Sequence, residues 1–447
     1  MYDLLIISPE EFKEQTIPLV KHKNNIGIKT KIITTNEVYD HIYWKGRDKA
    51  EKIKYFIKEA YEYWGIKYVL LMGGRKGQLP KEEWWVPVRY SYLNRNYENY
   101  PEGKFLTDLY FADLYYQNGS FSSWDDNKNG IFGEWLKDGI AVDRPDLHPD
   151  VYVGRLSCRN NRDVKIAVNK IINYETANIY ESWFKKMIVV AGDTYPNKTP
   201  GFIDGEVHTQ KALDNMTGFE PVKLWVSNGN LKNWIDIVKA FNKGAGFVFF
   251  SGHGGPHLWN TFFPDTSSKN AIIYLRHMSL FFNKNKLPVI VSSSGCFNNM
   301  FNVSLGHSEW VYIPLPSFIP KITEILFNQW ISTLPLNIPY CWGEKLVFNP
   351  HGGGISVIAS TAFSYESSDI LTKEGGCEWL DIYFFEQYGK NNYRYLGECW
   401  GKTVDAFLQN FTINYDDDSS TGSALILKNL EQWLLLGDPS LKIGGYN

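Results

Sequence analysis

The sequence predicts an α/β protein built on mainly parallel sheets, in two units lying side by side. Three observations carry that expectation. Short apolar, β-rich runs alternate with stretches of helical period from the first residue onward, the pattern of parallel strands joined by helices. At ~150 residues per domain, the chain's 447 residues are enough for two or three units. With 44% apolar residues, 21% charged residues and a formal net charge of −3, the chain can fill a large core. The same balance excludes a disordered tail and a charge-driven nucleic-acid binder.

The first unit, residues 1–182, reads β-α-β-α-β. A strand over 2–7 is followed by a helix over 12–24, a strand over 29–34 and a helix over 49–64, with Ile53, Phe56, Ile57, Ala60 and Trp64 on one face. A strand over 68–72 then runs into Gly73-Gly74. Residues 79–149 are polar, aromatic and glycine-rich, a loop long enough to expect binding or covering work from it. The sheet resumes at 151–153, and a helix follows from 162 to about 180.

The second unit, residues 183–447, carries strands at 187–191, 222–226, 246–250, 288–292 and 354–360, with helices between them. A proline- and aromatic-rich stretch at about 307–341 reads as an insertion, able to act as a lid over a cleft. No apolar run approaches the ~20 residues of a membrane span. The first residues lack a basic segment ahead of an apolar stretch, so no signal peptide is expected there. Five cysteines (Cys158, Cys296, Cys341, Cys377, Cys399) without a Cys-x-x-Cys pair indicate neither a disulfide scaffold nor a zinc ribbon, and their odd number leaves at least one free thiol.

Ligands of open parallel sheets bind beyond the carboxyl ends of the strands, so the residues after each apolar run are the first to inspect. After 187–191 comes Gly192-Asp193; after 246–250 comes Ser251-Gly252-His253-Gly254-Gly255; after 288–292 comes Ser293-Ser294-Gly295-Cys296. An acid, an imidazole and a thiol therefore share one sheet edge. That set can supply a thiol nucleophile (Cys296), a base for its proton (His253) and a carboxylate (Asp193) that either orients the imidazole or caps the next turn. The N–H groups of Gly254 and Cys296 are placed to hold a developing oxyanion.

Three other motifs carry no chemistry. Gly397-Glu398-Cys399-Trp400-Gly401-Lys402-Thr403 has three residues between its glycines where a phosphate loop needs four. His253 and His257 are separated by Gly254-Gly255-Pro256, which prevents the helix that would bring an i, i+4 pair onto one metal. No Gly-x-Ser-x-Gly occurs, so a serine hydrolase would lack its nucleophile.

Ser251-Gly252-His253-Gly254, followed some forty positions later by Ser294-Gly295-Cys296, resembles the gingipain-type cysteine endopeptidases, relatives of caspases, legumain and clostripain. The likeness runs along nearly the whole chain, through Tyr68-Val69-Leu70-Leu71-Met72-Gly73, Asp150-Val151-Tyr152-Val153-Gly154-Arg155-Leu156-Ser157, Ile358-Ala359-Ser360-Thr361 and Gly437-Asp438-Pro439-Ser440-Leu441. It implies a caspase-like α/β/α sandwich of two subdomains with catalysis in the second, polypeptide substrates and an extracellular setting. His253 and Cys296 match the family's dyad, and Asp193 the acid behind the histidine. The resemblance also implies a pocket acid selecting Arg or Lys at P1, for which Glu206 and Asp204 compete, with Tyr365 as a pocket-lining aromatic.

Within the long loop, Asp125, Asn127, Asn129, the Ile131 carbonyl and Glu134 are spaced like the ligands of a calcium loop around Gly130. Position 12 of such a loop is Leu136, and a polar Asx-rich turn is the competing reading. The rival to an enzyme is a catalytically silent binding protein whose 16 Trp and 28 Tyr form a sugar or peptide platform.

Overall fold

The computed structural model describes residues 1–78, 81–93, 95–97, 100–177, 182–196, 201–264, 266–304, 340–367 and 374–446, without the side chains of 95–97, 100–102 and 266–269. Most of the insertion expected at 307–341 lies outside them.

Ten strands form one sheet. They are β1 (Leu4–Ser8), β2 (Thr30–Thr34), β3 (Tyr68–Met72), β4 (Tyr152–Leu156), β5 (Lys186–Ala191), β6 (Glu220–Trp225), β7 (Phe247–Ser251), β8 (Val289–Ser293), β9 (Ser356–Ser360) and β10 (Trp433–Leu436). Their spatial order is β6-β5-β7-β8-β9-β10-β4-β3-β1-β2. Neighbours are parallel except β9 and β10, which are antiparallel. The two halves of the sheet therefore run in opposite directions, and the carboxyl ends of β5, β7 and β8 open on the edge opposite to those of β1, β3 and β4. Helices flank this sheet, and the architecture is the caspase-like α/β sandwich.

The strands form where the apolar runs lie, and the central ones are fully buried along their length, as parallel strands covered on both faces require. Helix Lys49–Trp64 starts where the Asp48 carboxylate accepts the Glu51 N–H at 2.8 Å and stops at Gly65, whose φ of 72° suits a residue without Cβ. Its Ile53, Phe56, Ile57 and Ala60 are buried as the periodicity predicts. Asn160 caps helix Asn161–Thr176 by accepting from the Arg162 and Asp163 N–H groups, and that helix ends short of the expected residue 180.

β10 has no counterpart in the sequence reading. Its residues Trp433-Leu434-Leu435-Leu436 form a four-residue apolar run without alternation, continuous with the helix Gly422–Gln432 before it. It nevertheless joins the halves, pairing with β9 on one side and β4 on the other. Buried charges reinforce the join. Arg159 pairs with Glu344 at 3.1 Å, Lys23 with Glu175 at 2.8 Å and with Asp438 at 2.7 Å, and Lys170 donates to the Leu346, Val347 and Gly352 carbonyls.

Candidate active site

β5, β7 and β8 lie side by side in register, with Ser251 opposite Ala191 on one flank and Ser293 on the other. The segments Gly192-Asp193, Gly252-His253 and Ser294-Gly295-Cys296 thus leave the sheet together at one edge. Beyond them the chain after β7 folds back as a small antiparallel sheet of His253–Gly255, Leu258–Phe263 and Thr266–Tyr274, which the sequence reading did not place. Asn298 pins its turn by donating to the Gly255 and Leu258 carbonyls, both at 2.9 Å.

The histidine and cysteine motifs touch through their glycines. A Cβ at Gly254 would fall 2.6 Å from the Gly295 Cα and 2.8 Å from the Cys296 carbonyl oxygen, so only glycine permits this approach. His253 directly precedes Gly254, and Cys296 directly follows Gly295 in the turn after β8. Ser294 and Phe297, on either side of the Gly295-Cys296 step, adopt left-handed φ values of 52° and 62°. Such conformations cost on the order of 1–3 kcal/mol each in non-glycine residues, and they mark an elbow whose shape is imposed by its surroundings.

The His253 Nε2 lies 2.7 Å from the Thr194 carbonyl oxygen. A carbonyl only accepts, so Nε2 carries the hydrogen and the neutral ring keeps its lone pair on Nδ1. Tyr195 and Phe262 meet the ring edge-on, each at 5.7 Å. Burial pushes the His253 pKa below its ordinary 6.5, against opposing contributions from the Thr194 carbonyl and the Asp204 charge. The ring is therefore neutral at neutral pH, as a general base must be. Asp193 sits one residue before the accepting carbonyl, and its carboxylate accepts the Tyr195 N–H at 3.0 Å. The acceptor behind the imidazole is the backbone of Thr194, shaped by this Asx turn.

The Cys296 Sγ faces Ser364, with the hydroxyl oxygen at 3.3 Å and the backbone nitrogen at 3.4 Å. Among the five thiols, Cys296 is 9% exposed and the other four are at 0%. Burial pushes the pKa values of Cys158, Cys341, Cys377 and Cys399 up, which leaves them unreactive thiols. The Cys296 N–H donates to the Ser294 carbonyl at 2.9 Å, so a substrate oxyanion would have to take over that hydrogen bond.

The profile of peptidase family C25 matches residues 1–444. This chain belongs to peptidase family C25. Gingipain R2 of Porphyromonas gingivalis is 21% identical over 98% of this family C25 chain and 46% of its own length. Gingipain R1 of the same organism is also 21% identical, over 34% of its length. The chain thus spans about half or less of the length of these curated relatives. Among solved structures, that of the Arg-specific cysteine proteinase gingipain R (RgpB) superposes with a TM-score of 0.62 at 18% identity, covering 99% of this chain and 78% of that one. The complex of the RgpB pro- and mature domains gives a TM-score of 0.61 at 18% identity over 79% of its length.

Of the two acids expected to compete for a pocket, the family C25 chain places them differently. The Glu206 carboxylate is taken up by Ser227, accepting its N–H at 2.9 Å and its hydroxyl at 2.5 Å. Asp204 accepts the Thr194 N–H at 2.7 Å on Oδ1, while its buried Oδ2 has no hydrogen-bond partner. Of the two, Asp204 is the acid whose charge acts on His253. Tyr365 stands on the far side of Ser364, its N–H and carbonyl both held by the Asn429 side chain, and lines a cleft with Glu366 and Glu374. Sequence reasoning missed Thr194, Ser364, Asn298 and Glu366. Thr194 adjoins Asp193 and acts through its backbone, which no side-chain motif reveals, whereas Ser364 and Glu366 reach the site only through the fold.

The supposed calcium ligands satisfy one another. Asp125 accepts the Asn129 N–H at 3.0 Å and the Gly130 N–H at 2.9 Å, and the guanidinium of Arg47 pairs with its Oδ2. Asn127 accepts the Asn129 N–H at 2.9 Å, and the Asn129 oxygen accepts the Ile131 N–H at 2.7 Å. The Asn129 amide nitrogen faces Glu134 at 2.8 Å, presenting a donor where a cation needs an oxygen. As placed, these residues fit the Asx-turn reading, with Arg47 as the local cation, and do not fit a calcium ion. Among the described residues no group of three or more His, Cys, Asp or Glu side chains is arranged to hold a metal, and no helix is long and apolar enough to cross a membrane.

Proposed function

We propose that this chain is a cysteine endopeptidase whose Cys296 thiolate attacks the scissile carbonyl while His253 Nδ1 takes the thiol proton and returns it to the leaving amine. The thioester formed on Cys296 is then hydrolysed by water, activated by the same imidazole. The observation that carries this reading is the contact of Gly254 with Gly295-Cys296 at the registered ends of β7 and β8; the neutral His253 ring held on the Thr194 carbonyl and the greater exposure of Cys296 among the five thiols support it. Membership of a peptidase family and the fold shared with the Arg-specific gingipain R support it. We assign the preference for Arg or Lys at P1 to Asp204, because an unpartnered buried carboxylate oxygen is relieved by a cationic side chain. Asp193 serves here as a positioning residue for the Thr194 carbonyl.

Fluorogenic peptides ending in Arg or Lys, assayed with wild type and Cys296→Ala, test the reading. Cleavage is expected to be lost in the variant, and iodoacetamide should label Cys296 far faster than the other four cysteines. Equal labelling of all five and no cleavage would leave a non-catalytic peptide- or sugar-binding protein instead.

A further inference from the structure

The turn that carries Cys296 doubles back after β8 and runs antiparallel to the chain leaving β9. The Asn299 N–H donates to the Ser360 carbonyl at 2.8 Å, and the Phe297 N–H to the Ala362 carbonyl at 3.0 Å. In the next rung sulfur replaces a carbonyl oxygen, with the Ser364 N–H donating to the Cys296 Sγ at 3.4 Å. The Ser364 hydroxyl oxygen stands 3.3 Å from the same sulfur. Helix Gly422–Gln432 clamps the backbone on either side of Ser364: the Lys428 ammonium donates to the Phe363 carbonyl at 2.6 Å, and the Asn429 amide accepts the Tyr365 N–H at 3.0 Å and donates to the Tyr365 carbonyl at 2.8 Å. Both clamping side chains are buried, so Ser364 is aimed at the sulfur before any substrate arrives. The surroundings make such donors necessary. The titratable groups that face this turn are Tyr195 and Asp204 from the chain after β5, His253 from the chain after β7, and Glu366 and Cys377 from the chain after β9. Of these only His253 takes a positive charge, and burial pushes its pKa below 6.5. The Ser294 hydroxyl, two residues before the nucleophile, already donates to Glu366. A thiolate on the buried Cys296 therefore depends on hydrogen-bond donors to replace water.

From this arrangement we infer that Ser364 is a further catalytic residue, whose hydroxyl and backbone N–H together hold the Cys296 thiolate. The inference deepens the peptidase reading above and rests on it. A hydroxyl suits both states of the sulfur, because its O–H rotates: it accepts from the thiol S–H and donates to the thiolate. When His253 Nδ1 takes the thiol proton, the electron pair stays on sulfur and Ser364 keeps its own proton. Both Ser364 contacts then become charge-assisted hydrogen bonds. When the sulfur attacks the scissile carbonyl, that pair becomes the C–S bond and the two donors are released. A thiolate held in this way is less basic, but nucleophilicity falls only about half as steeply as basicity, so below the midpoint of thiol ionisation the larger thiolate fraction wins.

The test follows the rate of iodoacetamide labelling of Cys296 against pH in wild type, Ser364→Ala and Ser364→Thr, with cleavage of Arg- and Lys-terminated fluorogenic peptides measured beside it. Ser364→Ala keeps the backbone N–H and loses the hydroxyl. Loss of a hydrogen bond to a charged group should shift the thiol–thiolate equilibrium by about 10-fold, moving the midpoint of the labelling curve up by about one pH unit. The more basic thiolate returns about half of that as nucleophilicity, so the variant should label about 3-fold more slowly than wild type below the midpoint and about 3-fold faster well above it. The two curves should therefore cross, and Ser364→Thr, which keeps the hydroxyl, should follow wild type. A change in loop shape moves the rate in one direction at every pH. A Ser364→Ala curve that coincides with wild type, or lies below it throughout, would overturn the inference. Crossing curves in a protein that cleaves neither peptide would uphold Ser364 as the thiolate's donor and overturn the peptidase reading.

Discussion

Asp204 and Glu206 lie two positions apart at the start of one helix, and side-chain type cannot separate them. Their partners do: Ser227 engages both oxygens of Glu206, while Asp204 keeps one buried oxygen without a hydrogen bond. Glu206→Gln should therefore leave P1 preference unchanged and cost about 1.5–3 kcal/mol of stability, measured by denaturant unfolding, because it weakens charge-assisted bonds. A lost basic preference in this variant would return the pocket role to Glu206. The pH dependence follows from His253. Its folded pKa lies below 6.5, so between the folded and unfolded values the native state binds fewer protons than the unfolded one. Its contribution to stability is thus fully present above about 6.5 and is lost as pH falls through the folded pKa. In kinetics the same shift keeps the base active below pH 6.5, so the acid limb of kcat/KM should fall there. Asp204 raises the His253 pKa, and Asp204→Asn should move that limb to still lower pH. A limb that moves upward would refute the coupling. The dyad was legible because its residue types follow apolar runs directly; the acceptor behind the imidazole was not, because it is a carbonyl.

Strands β5, β7 and β8 were readable to within a residue or so, since strands buried on both faces need continuous apolar runs. The hairpin after His253 was not, because His253-Gly254-Gly255 carries no alternation and is held by Asn298 from another loop. Residues 125–134 show how one spacing serves two structures. Asx residues at every second position suit a calcium loop, but they equally suit a turn that hydrogen-bonds its own backbone, and here Arg47 adds the positive charge. Chelation with EDTA should leave the melting temperature unchanged, and added calcium should not raise it. A fall in EDTA that calcium reverses would show an ion competing with Arg47 for Asp125.

The join between the halves is the feature least visible in the sequence, since it depends on β10 and on charges more than a hundred residues apart. Arg159, just after β4, reaches across to Glu344 and also donates to the Phe301 and Val303 carbonyls, which follow Cys296 by a few residues. The first half therefore braces the loop that carries the nucleophile. Removing one partner of a buried ion pair leaves an uncompensated charge and costs about 3–5 kcal/mol. Burial already raises the Glu344 pKa, so without Arg159 this carboxyl is easier to protonate and part of that cost is relieved. Arg159→Ala should then lower stability by a few kcal/mol and slow both peptide cleavage and alkylation of Cys296, although Arg159 makes none of the dyad's hydrogen bonds. The double variant Arg159→Met with Glu344→Leu should recover most of the stability, because an apolar pair of similar volume replaces a buried ion pair at little cost. It should not recover the alkylation rate, since the two carbonyls at Phe301 and Val303 still lack their donor. Recovery of both together would show that the halves are held by packing at this point and that the nucleophile loop keeps its shape without the brace.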